Sequence, residues 1–202
     1  MKVIEQLLTS AGISPIAGVD EAGRGACAGP LVIASVVLND PFAPELAVVR
    51  DSKEIPESKR DAVFELIHQV AASVSVVIVP ASEVDARGVH AANLDGMRRA
   101  VQGLNVEPAY VLTDGYAIEG LGVPNLAVWK GDQVVVSISA ASVIAKVTRD
   151  RIMREMDTEY PLYGFAGHKG YITAAHTKSL NEQGPFAQHR QSIANVAALI
   201  HK

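Results

Sequence analysis

Gly18–Gly29 reads Gly-Val-Asp-Glu-Ala-Gly-Arg-Gly-Ala-Cys-Ala-Gly, and apolar runs that predict neighbouring strands lie on both sides of it. Asp20 and Glu21 are adjacent carboxylates, and a Gly-Arg-Gly tripeptide follows them at 23–25. Carboxylates at the end of a strand offer the hard oxygen ligands that Mg²⁺ or Mn²⁺ takes. Glycines beside an arginine let backbone N–H groups and a guanidinium approach an anion closely. The order of residues therefore predicts a metal site beside a phosphate.

Two other interpretations of this stretch were weighed. An Asp-Glu pair alone is also typical of an exposed turn. A dinucleotide-binding loop requires G-x-G-x-x-G between a strand and a helix. Gly29 comes one residue too late for that pattern, and Leu31–Leu38 is β-branched strand sequence. We reject the dinucleotide loop.

The composition is that of an ordinary soluble globular protein, with 202 residues, 49% hydrophobic and 20% charged. The length predicts a single domain over 1–202, in which about 160–202 form a C-terminal loop and helices. No signal peptide or membrane span is predicted, and the single Cys27 excludes an intramolecular disulfide. We expect a cytoplasmic monomer whose one thiol packs behind the glycine turn.

Charge is distributed unevenly along the chain, although the net charge is only −4. Residues 1–128 hold 9 Lys and Arg against 16 Asp and Glu, whereas residues 129–202 hold 9 against 6. We expect the C-terminal third to meet a phosphate backbone and the acidic part to hold metals.

Alternation, periodicity and turn residues predict an α/β protein whose first two strands pair antiparallel. The predicted strands are 14–19, 31–38, 73–80, 108–114 and a fifth that begins at Asn125 and leads to Asp132. The predicted helices are 2–11, 57–72, 82–88 with Ser82 as its N-cap, 91–103, 136–160, 173–183 and 193–200.

Carboxylates recur near the ends of three predicted strands. Asp20, Asp114 and Asp132 each follow an apolar run, the last two in Thr-Asp-Gly and Lys-Gly-Asp. Sheets that contain parallel strands place their sites at such carboxyl ends. The recurrence favours a metal site over a set of unrelated exposed turns.

The predicted helix 136–160 carries hydroxyl and cationic side chains on one face. Ser139, Ser142, Lys146 and Arg149 follow the spacing i, i+3, i+7 and i+10. Beside the acids, this face predicts a track for phosphates. A polar outer face of a helix is the alternative, as a solvated side chain is for Lys53.

The loop 161–171 combines glycines, aromatic rings and basic residues. Rings beside cations suit stacking on a sugar or base, although Tyr163 and Phe165 equally suit the core under the loop. His168, His176 and His189 lack the spacing of a zinc site, so we expect them at the surface or in the core.

These motifs together resemble one known family. They are Gly-Val-Asp-Glu-Ala-Gly-Arg-Gly (18–25), Asp-Ser-Lys (51–53), Thr-Asp-Gly (113–115), Lys-Gly-Asp (130–132), the run from Ile138 to Asp150, and Tyr-Gly-Phe…His-Lys-Gly-Tyr (163–171). The whole chain resembles bacterial ribonuclease HII, the type 2 ribonuclease H.

The resemblance implies a ribonuclease H-like fold, with a five-stranded mixed sheet flanked by helices and additional C-terminal helices. It implies cleavage of the RNA strand of RNA–DNA hybrids and cleavage 5′ to a single ribonucleotide in duplex DNA. The acids Asp20, Glu21, Asp114 and Asp132 match the family's catalytic metal ligands, for two Mg²⁺ or Mn²⁺ ions that would leave 5′-phosphate and 3′-hydroxyl ends.

The resemblance also implies the substrate contacts. Gly23, Arg24, Gly25 and Tyr163 match the residues that read the 2′-hydroxyl at the RNA-to-DNA junction. The remaining predicted contacts are Lys53, Ser139, Ser142 and Lys146.

The chain departs from the family at two places. Glu54 stands where the family commonly has a second lysine, which puts one phosphate contact in doubt. The tail from Ile193 contains no aromatic residue, so we expect no binding of a sliding clamp through it.

Two alternative functions remain open on the sequence. Another ribonuclease H-like nuclease, such as a resolvase or 3′-exonuclease, would share the acids but lack the Gly-Arg-Gly element. A hybrid-binding module would bind the same duplex without cutting it.

Overall fold

The computed structural model describes residues 3–49 and 52–200. The strands are β1 Ile16–Ala22, β2 Leu31–Leu38, β3 Ala71–Val79, β4 Tyr110–Asp114 and β5 Asn125–Val128. The helices are α1 Val3–Ser10, α2 Glu57–Val70, α3 Ala81–Arg87, α4 Val89–Gln102, α5 Gly131–Val134, α6 Val136–Glu159, α7 Phe165–His168, α8 Ala174–Gln183 and α9 Ala194–Ile200, with a 3₁₀ turn at Pro44–Val48. Asp51, part of a predicted motif, lies outside the described residues.

The five strands form one mixed sheet in the order β3-β2-β1-β4-β5. β1 pairs antiparallel with β2, as their short connection predicts, and β2 pairs antiparallel with β3. β4 pairs parallel with β1, and β5 with β4. The predicted five-stranded mixed sheet with flanking helices is confirmed.

Helices cover both faces of the sheet because its central strands are apolar on both sides. Every residue of β2 is buried, and alternate residues belong to different clusters. Val32 and Val36 pack in the cluster that contains residues of α2 and α6. Ile33 packs in the cluster that contains residues of α4. This arrangement is the two-sided burial expected where helices flank a sheet.

Helix α6 lies against the centre of the sheet, and its N-terminus is held by two close contacts. A Cβ on Gly18 of β1 would lie 2.1 Å from the backbone carbon of Ser137, so only glycine permits the approach. The buried carboxylate of Glu5 in α1 accepts hydrogen bonds from the N–H groups of Val136 and Ser137, at 2.9 and 3.0 Å. These bonds satisfy orphan donors of the helix.

The structure corrects two predicted details. Helix α3 begins one residue before Ser82 and takes Pro80 as its N-cap residue. Asp132 does not follow β5 directly but lies in the short helix α5, which begins at Gly131. The reason is Lys130, whose left-handed backbone (φ 52°) turns the chain between the two elements.

The C-terminal segment packs against the glycine-rich loop after β1. Isolated bridges join Ala26 to Tyr171 and Ala28 to His189. Residues 163–190 therefore support the loop that carries Gly-Arg-Gly. Within the described residues, no helix is long and apolar enough to cross a membrane.

Candidate active site

Strand register places two of the acids side by side. Val19 of β1 pairs with Thr113 of β4 in the parallel direction, so Asp20 and Asp114 follow directly after paired residues. Both lie at the carboxyl ends of adjacent parallel strands, where open sheets of this kind place their sites. Glu21 follows Asp20 within β1, which continues to Ala22.

Asp132 reaches the same edge through the turn between β5 and α5. The N–H of Gly131 donates to Asp114 Oδ1 at 2.7 Å, which ties the start of α5 to the end of β4. The hydroxyl of Ser139 donates to the carbonyl of Asp132 at 2.6 Å. Lys53 Nζ lies 3.6 Å from Asp132 Oδ2. These contacts place Asp132 at the same edge of the sheet as Asp114.

Two adjoining pockets, of about 390 and 460 Å³, meet at these acids. The first, here called the loop pocket, is lined by Asp20, Glu21, Ala22, Gly23, Arg24, Gly25, Ser52, Lys53, Asp114, Ser142, Lys146 and Tyr171. The second, here called the turn pocket, is lined by Glu21, Arg24, Lys53, Asp114, Gly115, Tyr116, Trp129, Lys130, Asp132 and Gln133. Carboxylates and cations therefore face a common space.

Burial and mutual repulsion disfavour the charged forms of the first two acids. Removal from water raises the pKa of Asp20 well above its ordinary value, and the charges of Glu21 and Asp114 raise it further. Burial likewise raises the pKa of Glu21, although the nearby Arg24 charge acts in the opposite direction. The site thus concentrates negative charge that a cation would neutralise.

The donor set fits a hard divalent cation, although the carboxylates now have other partners. Glu21 Oε2 is buried and accepts no hydrogen bond from any residue that the structure describes, which leaves one oxygen for a ligand. Asp20 Oδ1 accepts from the N–H of Glu21 at 2.7 Å. Across 3–49 and 52–200, no three His, Cys, Asp or Glu side chains are arranged to hold a metal ion as they stand. Coordination would require these carboxylates to rotate.

Two buried arginines, Arg149 and Arg190, fix the Gly-Arg-Gly loop by packing against it and by donating hydrogen bonds to backbone carbonyls. A Cβ on Gly23 (φ 90°) would lie 2.0 Å from Arg149 Nε, so the loop packs directly on that guanidinium. Arg149 donates to three backbone carbonyls, of Pro30, Lys169 and Ala28. Arg190 donates to the carbonyls of Arg24 and Gly29. The loop is thereby fixed to α6 and to the C-terminal segment.

Only half of the predicted phosphate face on α6 reaches the site. Ser142 and Lys146 line the loop pocket, and Lys146 Nζ also contacts Asp150 Oδ1 at 2.7 Å. Ser139 is fully buried and its hydroxyl bonds to backbone, while Arg149 lies under the loop. Residues of one stripe have different surroundings because α5 packs on Ser139 and the loop after β1 packs on Arg149. Ser139 therefore supports Asp132 and does not reach the pocket surface.

The tyrosine at the site is Tyr171, which the sequence reasoning did not assign. Tyr171 lines the loop pocket, and Arg149 lies over its ring at 5.2 Å. Tyr163 lines neither pocket, since its hydroxyl donates to the carbonyl of Gly184 at 2.7 Å and its ring packs on Phe186. The expectation for Tyr163 is corrected. The signal for Tyr171 was its place directly after the His-Lys-Gly turn, at 168–170.

The sheet order, the flanking helices and the carboxylates at adjacent strand ends define a ribonuclease H-like nuclease. The family model described as Ribonuclease HII matches residues 17–196. The chain is 56% identical over 196 residues to the Ribonuclease HII of Mycobacteroides abscessus, covering 97% of this chain and 84% of that protein. The chain belongs to the ribonuclease HII family and is an endonuclease of the ribonuclease H type.

Solved structures show the same fold. The ribonuclease H2 of Pyrococcus horikoshii superposes with a TM-score of 0.80 at 26% identity, covering 92% of this chain and 97% of that one. The RNase HII of Archaeoglobus fulgidus, solved in complex with PCNA, gives 0.77 at 24% identity, with 89% and 95% covered. Bst-RNase HIII, solved in complex with Mn²⁺, gives 0.67 at 17% identity, with 96% and 72% covered.

Proposed function

We propose that this ribonuclease H cuts RNA–DNA hybrids and nicks DNA duplexes 5′ to single ribonucleotides, leaving 5′-phosphate and 3′-hydroxyl ends. The observation that carries the proposal is the convergence of Asp20, Glu21, Asp114 and Asp132 on two pockets that the Gly-Arg-Gly loop borders. Membership of the ribonuclease HII family supports the substrate class.

The four acids would hold Mg²⁺ or Mn²⁺, and two such ions would activate water and stabilise the leaving 3′-oxygen. The residues supply oxygen ligands and surplus negative charge, and Glu21 Oε2 is unpartnered. Lys53 and Lys146, which line the loop pocket, would contact phosphate oxygens. The Mn²⁺ complex of Bst-RNase HIII, a protein of the same fold, is consistent with this choice of metal.

Recognition of RNA requires a contact to the 2′-hydroxyl, which DNA lacks. Gly25 is exposed in the loop pocket and Gly23 is fixed on Arg149, so the backbone there can approach a sugar without side-chain obstruction. We propose that this backbone and Tyr171 read the hydroxyl. Arg24, which stacks over Tyr116 at 4.6 Å, would face the phosphate.

A panel of duplexes tests the proposal. The substrates are a long RNA–DNA hybrid, a DNA duplex with one ribonucleotide, an all-DNA duplex and an all-RNA duplex, each end-labelled and incubated with Mg²⁺. We expect cleavage of the first two and a single nick 5′ to the ribonucleotide. Exonucleolytic ladders, cleavage of all-DNA duplex, or binding without any cleavage would contradict it.

We further propose that the chain acts as a single catalytic domain, as a cytoplasmic monomer, and does not bind a sliding clamp through its tail. Helix α9 supports the last point, since its Val196 is buried in the cluster that contains Cys27 and Leu180. Gel filtration of the chain alone and with a purified bacterial sliding clamp measures both properties. Co-elution with the clamp, or elution as a dimer, would contradict this.

A further inference from the structure

Trp129, the single tryptophan of the chain, is unusually exposed for its type. Its side chain is 82% accessible, more than any other exposed large hydrophobic residue among those described. Single exposed aliphatic residues need no explanation, but tryptophan is large, costly to hydrate and enriched at interfaces. The position of Trp129 relative to the acids therefore indicates whether the exposed ring can bind a ligand.

Trp129 lies beside the catalytic acids, between β5 and α5. It lines the turn pocket together with Glu21, Asp114 and Asp132. The next residue, Lys130, adopts a left-handed conformation that is uncommon outside glycine. Such a conformation persists only when its surroundings impose it, and it is often found at functional sites. The bond from Gly131 to Asp114 holds the turn in place.

The surroundings of the ring suit a nucleic acid strand. Arg24, Lys53 and Lys130 line the same pocket and supply positive charge for phosphates. Glu21 and Asp114 line both pockets, whereas Gly23 and Gly25 line only the loop pocket and Trp129 lines only the turn pocket. A strand whose cleaved phosphate meets the acids would extend into both pockets.

We propose that Trp129 packs its indole face on the sugar of a nucleotide that flanks the cut, on the side of the acids away from Gly23 and Gly25. This inference rests on the proposed function and adds a second contact region to it. Within a duplex the bases stack on one another, so the sugar is the apolar surface that remains available to an aromatic ring. The contact removes the most exposed apolar ring of the site from water.

Fluorescence tests the contact directly, because all tryptophan emission of the wild-type chain comes from Trp129. A DNA duplex with one ribonucleotide is titrated into the protein with a chelator present, so that binding occurs without cleavage. We expect the emission maximum to move to shorter wavelength and quenching by acrylamide to fall. Unchanged emission, while the anisotropy of a labelled duplex reports binding, would overturn the inference.

Kinetics of variants provide the second test. Trp129→Ala should raise KM for the same duplex about fivefold with little change in kcat, and Trp129→Phe should stay near wild type because a ring is retained. Leu162→Ala is the matched control, since Leu162 is 69% exposed and lines neither pocket. Equal KM values in Trp129→Ala and wild type would overturn the inference. Wild-type cleavage in the same assay separately tests the proposed function.

Discussion

One cluster of titratable side chains lines the pockets at the acids and another lies in the C-terminal segment, and they differ in how their polar groups are satisfied. At the acid site, like charges crowd together and Glu21 Oε2 has no partner. In the C-terminal cluster, the rings of His168 and His176 stack at 4.1 Å, and His176 Nε2 lies 3.2 Å from His189 Nε2. The acid site therefore has a carboxylate oxygen available to a ligand, whereas the rings of the histidine cluster are hydrogen-bonded to one another and to the backbone.

The hydrogen bonds of the histidine cluster require neutral rings. Because His189 Nδ1 accepts from the N–H of Phe186, its Nε2 carries the proton and donates to His176 Nε2. His176 Nδ1 then donates to the carbonyl of Tyr171 at 3.0 Å. The cluster thus supports the segment that places Tyr171 in the loop pocket. A group of histidines near a site can be a structural element, whereas the carboxylates of Asp20, Glu21 and Asp114 crowd around a pocket.

The largest expected effect comes from Asp20→Asn, which removes a charge and keeps the volume. Cleavage should fall at least about a hundredfold, or roughly 2.7 kcal/mol of barrier, while duplex binding is largely spared. Initial rates in Mg²⁺ and anisotropy of a labelled duplex measure the two properties. Asp61→Asn, on the exposed surface of α2, is the control. Near-normal turnover in Asp20→Asn would rule out the acid site.

The same variant should stabilise the metal-free protein at neutral pH. Asp20 has a raised pKa in the folded state, so its buried charge opposes folding at neutral pH, and stability returns as the group is protonated on acidification. Urea unfolding with a chelator at pH 7 measures the effect. Lower stability in Asp20→Asn than in wild type would contradict the claim that the buried charge of Asp20 opposes folding.

Acidification should lower the stability contributed by the histidine cluster, whereas it raises stability at Asp20. Burial, followed by the neighbouring His176 and His168, lowers the pKa of His189 to about 4. In the unfolded chain this histidine binds a proton near pH 6.5. Its contribution to the free energy of unfolding is therefore fully present above that pH, and roughly 3 kcal/mol is lost between pH 6.5 and 4. Urea unfolding of wild type and His189→Gln at pH 7 and 4.5 measures the loss. The exposed His68→Gln is the control, and an equal pH dependence in His189→Gln and wild type would refute the assignment.

A smaller effect should separate the two tyrosines. Tyr171→Ala should lower cleavage at a single ribonucleotide about tenfold, or 1.4 kcal/mol, because it lines the loop pocket. Tyr163→Phe removes only the hydrogen bond to Gly184, so it should cost about 1 kcal/mol of stability and leave cleavage unchanged. The reverse pattern would restore the sugar-reading role to Tyr163.

Ser139→Ala is expected to have the smallest effect, a modest loss of stability without a change in substrate binding. The hydroxyl bonds only to the carbonyls of Asp132 and Val135, so its loss should cost about 1 kcal/mol of stability with KM unchanged. Thermal unfolding and steady-state kinetics measure the two quantities. A raised KM at unchanged stability would show that Ser139 contacts the substrate after all.

Local sequence was enough to predict several strands and the acids at their ends, and the resemblance to a known family supplied the five-stranded mixed sheet. Leu31–Leu38 is strand at the predicted bounds, since a β-branched run bounded by turn residues leaves little choice. The apolar runs before Asp20 and Asp114 indicated adjacent strand ends, which the parallel pairing of β1 and β4 confirms. Family resemblance supplied Glu21 as a ligand, because an Asp-Glu pair alone does not distinguish a site from a turn.

What sequence could not predict depends on burial by distant segments. Ser139 and Arg149 share a helical stripe with Ser142 and Lys146, but α5 adjoins Ser139 and the loop after β1 covers Arg149. Tyr163 and Tyr171 both lie in an aromatic, glycine-rich segment. The pocket lining and the bridge from Tyr171 to Ala26 show which of them faces the acids.

Metal-dependent nicking of a DNA duplex with one ribonucleotide tests the central claim most directly. The chain is incubated with the end-labelled duplex in a chelator, and Mg²⁺ or Mn²⁺ is then added in excess. The account predicts no product before addition and, after it, one nick 5′ to the ribonucleotide with a 3′-hydroxyl end. Cleavage in the chelator, or a product with a 3′-phosphate, would contradict the assignment of the four acids to metal-assisted hydrolysis.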